Sequence, residues 1–175
     1  MRRSLAYLVD CVLIFSAYAL SQTLLNRLLR KWSGHPGWMR NGLKLEAYTL
    51  LTISLPAWLY FSLLEHSRWQ ATVGGRLLGL KVETLSGERL RFSQVLGRTL
   101  VKLLPWELAH LTVNWPTPML INPQSGELDW SRGRYRFGFN LVYGLGLVYG
   151  LVALFSPQQR SVPDWVVGSR VIRLR

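Results

Sequence analysis

Three long apolar stretches limit what this chain can fold into more than any other feature. Leu5 to Leu25 carries one charge, Asp10, in 21 residues; Ala47 to Leu64 carries none in 18, and Phe137 to Phe155 none in 19. As helices they reach about 27–32 Å, which matches the hydrocarbon core of a bilayer. A soluble chain of 175 residues would have to cover three such runs with amphipathic helix, and little of that is left. The pattern predicts an all-α polytopic membrane protein, a small bundle of three to four transmembrane helices forming a single membrane domain over residues 1–175. Met1-Arg2-Arg3, an apolar run and Ala17-Tyr18-Ala19 also have the outline of a secretory signal. Asp10 inside that run, and its continuation to Leu25, favour an uncleaved first span.

Segment 95–120 is of a different kind. It is apolar in bulk yet holds Arg98, Lys102, Glu107 and His110, with Pro105 in its middle. Arg98 and Lys102 share one helix face while Leu96, Leu100, Leu103 and Leu104 gather on another. This predicts a helix lying at the membrane interface with its cations on lipid headgroups, and leaves a broken fourth span as the alternative. Just before it, residues 80–92 read as a β-hairpin turning at Ser86-Gly87, with Ser93 as the N-cap of the following helix. Open strand edges cannot be paired in hydrocarbon, so the hairpin belongs outside the bilayer.

Composition supports the membrane reading. Only 17% of residues are charged, against about 25% in a soluble domain. Lys and Arg number 21 against 9 Asp and Glu, a net charge of +12. Eight Trp and the apolar runs argue against nucleic acid as the partner of that charge and for anionic lipid headgroups. Trp32, Trp38, Trp69, Trp106, Trp115 and Trp130 lie outside the three spans, where an indole finds both apolar and wet surroundings. The basic residues divide 11 to 8 in favour of a cytoplasmic N-terminus with four crossings, and 12 to 9 with three. That margin does not decide topology.

Asp10 is the first candidate for chemistry, because a carboxylate inside an apolar span is costly unless paired, hydrated or protonated. Arg3 lies on nearly the same face, which makes it the expected modulator of Asp10. The open alternatives are a protonatable or cation-binding site and a structural polar contact. Pro56 predicts a kink in the second span, with Thr49, Thr52 and Ser54 available to re-satisfy backbone groups. Gly146 and Gly150 form a GxxxG pair suited to close helix packing, within the chain or with a partner. No P-loop, nucleophile elbow or HExxH motif is present, and His35, His66, His110 and Cys11 are scattered. The expectation is a non-enzyme without cofactor or metal.

The residues resemble the RDD family of bacterial integral membrane proteins, named for one Arg and two Asp. The matching positions are Arg3, Asp10 and Asp164. Thr72-Val73-Gly74-Gly75-Arg76-Leu77-Leu78-Gly79-Leu80-Lys81-Val82 is similar to the family's T-x-G-K-x-x-x-G-L-x-V, with Gly87 and Arg98 fitting the turn and Arg-bearing helix that follow. The tail, Gln158 to Val171, resembles the ending Q-x-x-H-D-x-x-x-G-T-x-V. Gly75 stands where the family has Lys, Pro163 where it has His, and Ser169 where it has Thr. The resemblance implies a bacterial inner-membrane protein with Arg3, Asp10, Arg98 and Asp164 as a polar set. It also implies a transport-related activity, cation/proton exchange having been attributed to some members, with Asp10 as carrier. The alternative is a non-transporting scaffold or assembly factor in which the same residues form a structural network. Expected partners are the anionic bilayer and a second copy or membrane protein.

Overall fold

The computed structural model describes residues 2–33, 41–115, 133–156 and 160–174. His35, Trp38, Trp130, Gln158, Gln159 and residues 116–120 of the fourth apolar segment lie outside the described residues. The described residues are mostly helical, with a two-stranded antiparallel sheet. Its helices are α1 (Arg2–Ser33), α2 (Gly42–Thr49), α3 (Leu55–His66), α4 (Val73–Leu77), α5 (Phe92–Asn114), α6 (Gly133–Phe155) and α7 (Val162–Val167), and its strands β1 (Leu80–Thr84) and β2 (Ser169–Arg173). Among the described residues three helical stretches are long and apolar enough to cross a membrane: Arg2–Leu25, Gly42–His66 and Tyr135–Phe155.

Burial is inverted relative to a soluble protein. Among the described residues 14 polar or charged side chains are buried against 10 apolar ones. The apolar side chains point outward instead, with Phe155 81% and Leu5 53% exposed. Lipid accepts such a surface, whereas water would not.

The chain divides into two compact units. The first comprises Met1–Ser16, Pro56–Leu104 and Leu147–Arg175. In it Ala57, Phe61 and Leu103 pack with Ile14, Trp58 and Tyr60, joining α1, α3 and α5. A separate small core of Val82, Leu90 and Val95, with Val167 and Val171, lies under the sheet. β1 pairs antiparallel with β2, Val82 opposite Val171 and Glu83 opposite Arg170.

That pairing departs from the expected hairpin. The turn forms, with Gly87 at φ +87° and the Thr84 N–H donating to the Glu88 carbonyl at 2.8 Å. The return segment does not pair as a strand, however: Leu90 drops into the core, and the Arg91 N–H donates to the Gln94 side chain at 3.0 Å. This starts α5 at Phe92, one residue ahead of the expected cap Ser93. The partner strand comes from the tail, where Val171 and Ile172 have the β-branched character that Glu88-Arg89-Leu90-Arg91 lacks.

The second unit comprises Ala17–Leu55 and Pro105–Gly146. Here the Ser54 hydroxyl donates to Glu107 at 2.7 Å, and the Asn114 amide donates to Glu46 at 2.9 Å and to Thr49 at 3.0 Å. A Cβ on Gly138 would overlap the Thr112 side chain, so this glycine permits close helix approach.

The two helix-interior prolines are accommodated in different ways. Leu50–Ser54, between α2 and α3, is π-helical. Pro56 has no N–H for the Thr52 carbonyl, and the turn ahead of it is widened to the π form, which is itself a usual site of helix bending. Thr49 and Thr52 donate back to the carbonyls of Leu45 and Tyr48 at 2.9 and 2.8 Å. Pro105 leaves the Val101 carbonyl without its helical partner, and the Tyr149 hydroxyl donates to that oxygen at 2.7 Å.

Candidate functional site

Two buried polar centres, both in the first unit, carry the candidate residues. The first surrounds Asp10, which is 2% exposed. Its Oδ1 accepts from the Tyr60 hydroxyl at 2.7 Å and the Gly74 N–H at 2.8 Å, and its Oδ2 from the Thr72 hydroxyl at 2.6 Å. Thr72 is the N-cap of α4, and its oxygen also accepts from the Gly75 N–H at 3.1 Å. One carboxylate thus ties α1 to α3 and to the start of α4. Three donors on two oxygens satisfy a group that burial has stripped of water. The approach depends on glycine: a Cβ on Gly74 would fall on the Ala6 carbonyl. The Thr-x-Gly of the central motif is therefore the cradle of Asp10.

The second centre is Asp164, fully buried. Arg98 donates to its Oδ1 at 3.0 Å through Nε, with a second guanidinium nitrogen at 2.9 Å. The Ser169 hydroxyl adds 3.1 Å to the same oxygen. Oδ2 takes the N–H and hydroxyl of Ser161 at 3.0 and 2.7 Å, a capping box at the start of α7. Arg3 reaches Oδ2 at 3.5 Å and donates to the Val171 carbonyl at 2.7 Å. Burial pushes the Asp164 carboxyl up, but the Arg98 guanidinium and the Ser161 donors outweigh it and hold it below its ordinary value. Arg160 closes the turn from below, donating to the carbonyls of Ser169 at 3.0 Å and Asp164 at 3.1 Å.

Arg98 also binds Glu65 at 2.5 Å, and Lys102 binds the other oxygen of Glu65 at 2.5 Å. Arg3, Asp164, Arg98, Glu65 and Lys102 form one ionic chain across α1, α7, α5 and α3. Such a network is no guarantee of net stability against an apolar core, but deleting one member strands a buried charge.

The sequence-derived set is thus split. Arg3, Arg98 and Asp164 meet, with Arg3 on Asp164, while the oxygens of Asp10 are held in a cradle of their own. Arg98 and Lys102 do not reach for headgroups as expected of an interfacial helix, but turn inward to carboxylates. Glu65 went unread because it follows directly on the apolar run ending at Leu64. The i, i+4 pair Arg98/Lys102 was the available signal, since two cations on one buried face call for a bridging carboxylate. Gly146 and Gly150 face open space, with no described atom within 4 Å of a Cβ there, so no described helix of this chain fills their groove. Gly75, at the family's Lys position, lies buried in the α4 cap, and Pro163, at its His position, is buried in the first turn of α7.

No curated protein and no solved structure matches this chain. The sequence model of the RDD family matches residues 1–168, nearly the whole length. The matched region takes in Arg3, Asp10, Glu65, Arg98 and Asp164, and the chain belongs to the RDD family.

Proposed function

We propose that this protein is a multi-pass inner-membrane scaffold or assembly factor, neither transporter nor enzyme, whose buried polar residues hold a platform of α4, β1, β2 and α7 at the membrane surface against its spans. The observation that carries this reading is the setting of Asp10. A carrier carboxylate needs a wet route, whereas Asp10 is 2% exposed with its oxygens engaged by Tyr60, Thr72 and Gly74. The competing reading, cation/proton exchange on Asp10, draws on the presence of a buried carboxylate within an apolar span.

Four crossings go with the scaffold reading. Arg3, Glu65, Arg98 and Asp164 are in contact, so the start of the first span, the end of the second, the start of α5 and the tail share one membrane face. Between Arg98 and Asp164 the chain crosses once through Tyr135–Phe155. An even number of crossings requires α5 to be the other. Its 23 residues are about 34 Å long. Capture of the Val101 carbonyl by Tyr149 meets the demand that hydrocarbon places on a proline-freed backbone group. With the basic residues leaning 11 to 8 the same way, this reading has the N-terminus, platform and tail in the cytoplasm. Partners are the anionic bilayer and a second copy or other membrane protein on the Gly146/Gly150 groove, with no role for nucleic acid.

The test uses purified protein in liposomes. Asn at position 10 puts an amide donor where three donors converge, which costs about 1–3 kcal/mol. Asp10→Asn is expected to lower the melting temperature, with no cation-driven proton flux in either protein. Flux in the wild type that disappears in a folded Asp10→Asn variant would refute the scaffold and establish exchange.

A further inference from the structure

We infer that the segment Arg68–Leu78 is immersed in the membrane interface and binds anionic phospholipid headgroups through Arg68 and Arg76. The argument begins with depth. α4 is pinned to α1 by the bonds of Thr72 and Gly74 to Asp10 and by the contact of Gly74 with Ala6. Ala6 and Asp10 lie four and eight residues into the span that begins at Arg2. At 1.5 Å per residue these anchor points lie about 6–12 Å from the Arg2 end of α1, which, with that end among the headgroups, is close to the roughly 5–10 Å at which in-plane amphipathic helices rest.

The side chains turned away from α1 suit that depth. Leu77 is 70% and Trp69 41% exposed, and Leu77 has no aqueous rationale at the tip of a five-residue helix. Arg68 and Arg76 are exposed, and the Arg76 guanidinium lies 4.0 Å over the Trp69 ring. An arginine stacked on an interfacial indole keeps its donors free for a phosphate while its stem stays on apolar surface.

A second part of the platform lies against another span end. The Trp165 N–H donates to the Ser156 hydroxyl at 2.9 Å, one residue past Phe155. Trp165 and Val166 are 49% and 61% exposed. Both tryptophans therefore sit beside a span terminus with apolar neighbours outward. Water leaves these faces unexplained, and a headgroup layer rich in phosphate complements their charge.

This inference needs α1 to be a span but does not depend on the scaffold reading. Its test places a spin label at Leu77→Cys, Val166→Cys or Ser86→Cys in a Cys11→Ser background. The full chain is reconstituted in phosphatidylcholine vesicles containing phosphatidylglycerol. The labels at 77 and 166 are expected to collide with oxygen in preference to a water-soluble nickel chelate, and the label at the exposed turn residue 86 to show the reverse. Spin-labelled phosphatidylglycerol should be held more strongly than phosphatidylcholine, a selectivity that falls to one in Arg68→Gln/Arg76→Gln. Should the Cys11→Ser background fail to fold, a benzophenone side chain at position 77 with Cys11 kept is expected to gain the mass of a phospholipid on irradiation. Nickel access at 77 equal to that at 86, or a benzophenone there that leaves phospholipid unlabelled, overturns the immersion. Selectivity unchanged by the double substitution overturns the headgroup role, and spin–spin broadening between copies at 77 assigns the face to a second copy instead.

Discussion

Asp164 shows what one buried carboxylate can organise. Its two oxygens receive Arg98, Ser161, Ser169 and Arg3, so a six-residue helix, a strand and two longer helices meet on it. Replacing it with Asn removes the charge that Arg98 and Arg3 face, which by analogy with broken buried pairs costs about 3–5 kcal/mol. The pH dependence follows from the lowered carboxyl. Above the ordinary value of 3.8 the unfolded group is ionised as well, and the full stabilisation is present. As pH falls below that value the unfolded state takes up a proton first, and the contribution is lost through the folded-state pKa. The melting-temperature gap between wild type and Asp164→Asn is therefore expected to be constant near neutrality and to shrink on acidification. A gap that persists unchanged in acid would show that the carboxylate charge is not what matters.

At the scale of elements, the prolines show how a span keeps its backbone satisfied. Pro105 frees the Val101 carbonyl, and Tyr149 of α6 binds it. Tyr149→Phe should then cost about 1–3 kcal/mol, because the oxygen is left unpaired. In a Pro105→Ala background the helix supplies its own N–H, and the same substitution should cost almost nothing. A thermodynamic cycle of the four proteins reads this coupling, and additive effects would mean the hydroxyl does not serve that carbonyl. The three apolar spans were legible because apolar length is a local property. β1 and its turn were legible for the same reason. Its partner was not, since the choice between residues 88–92 and 169–173 turns on which segment the helices return to it.

For the whole molecule the expected consequence is an even count of crossings. A reporter active only in the cytoplasm, fused after Leu174, should be active, and one inserted after Trp115 should be silent. Activity at both positions would make α5 interfacial after all. Membership of the RDD family, the three spans and the identity of Arg3, Asp10 and Asp164 as special residues were contained in the sequence, because hydropathy and motif order are written along the chain. The tertiary structure decided the pairings: Arg3 with Asp164, Glu65 as the bridge between Arg98 and Lys102, and the tail strand on β1. Those choices join residues up to 161 positions apart. A buried charge takes whichever counter-charge folding brings within reach, and sequence spacing carries no record of that distance.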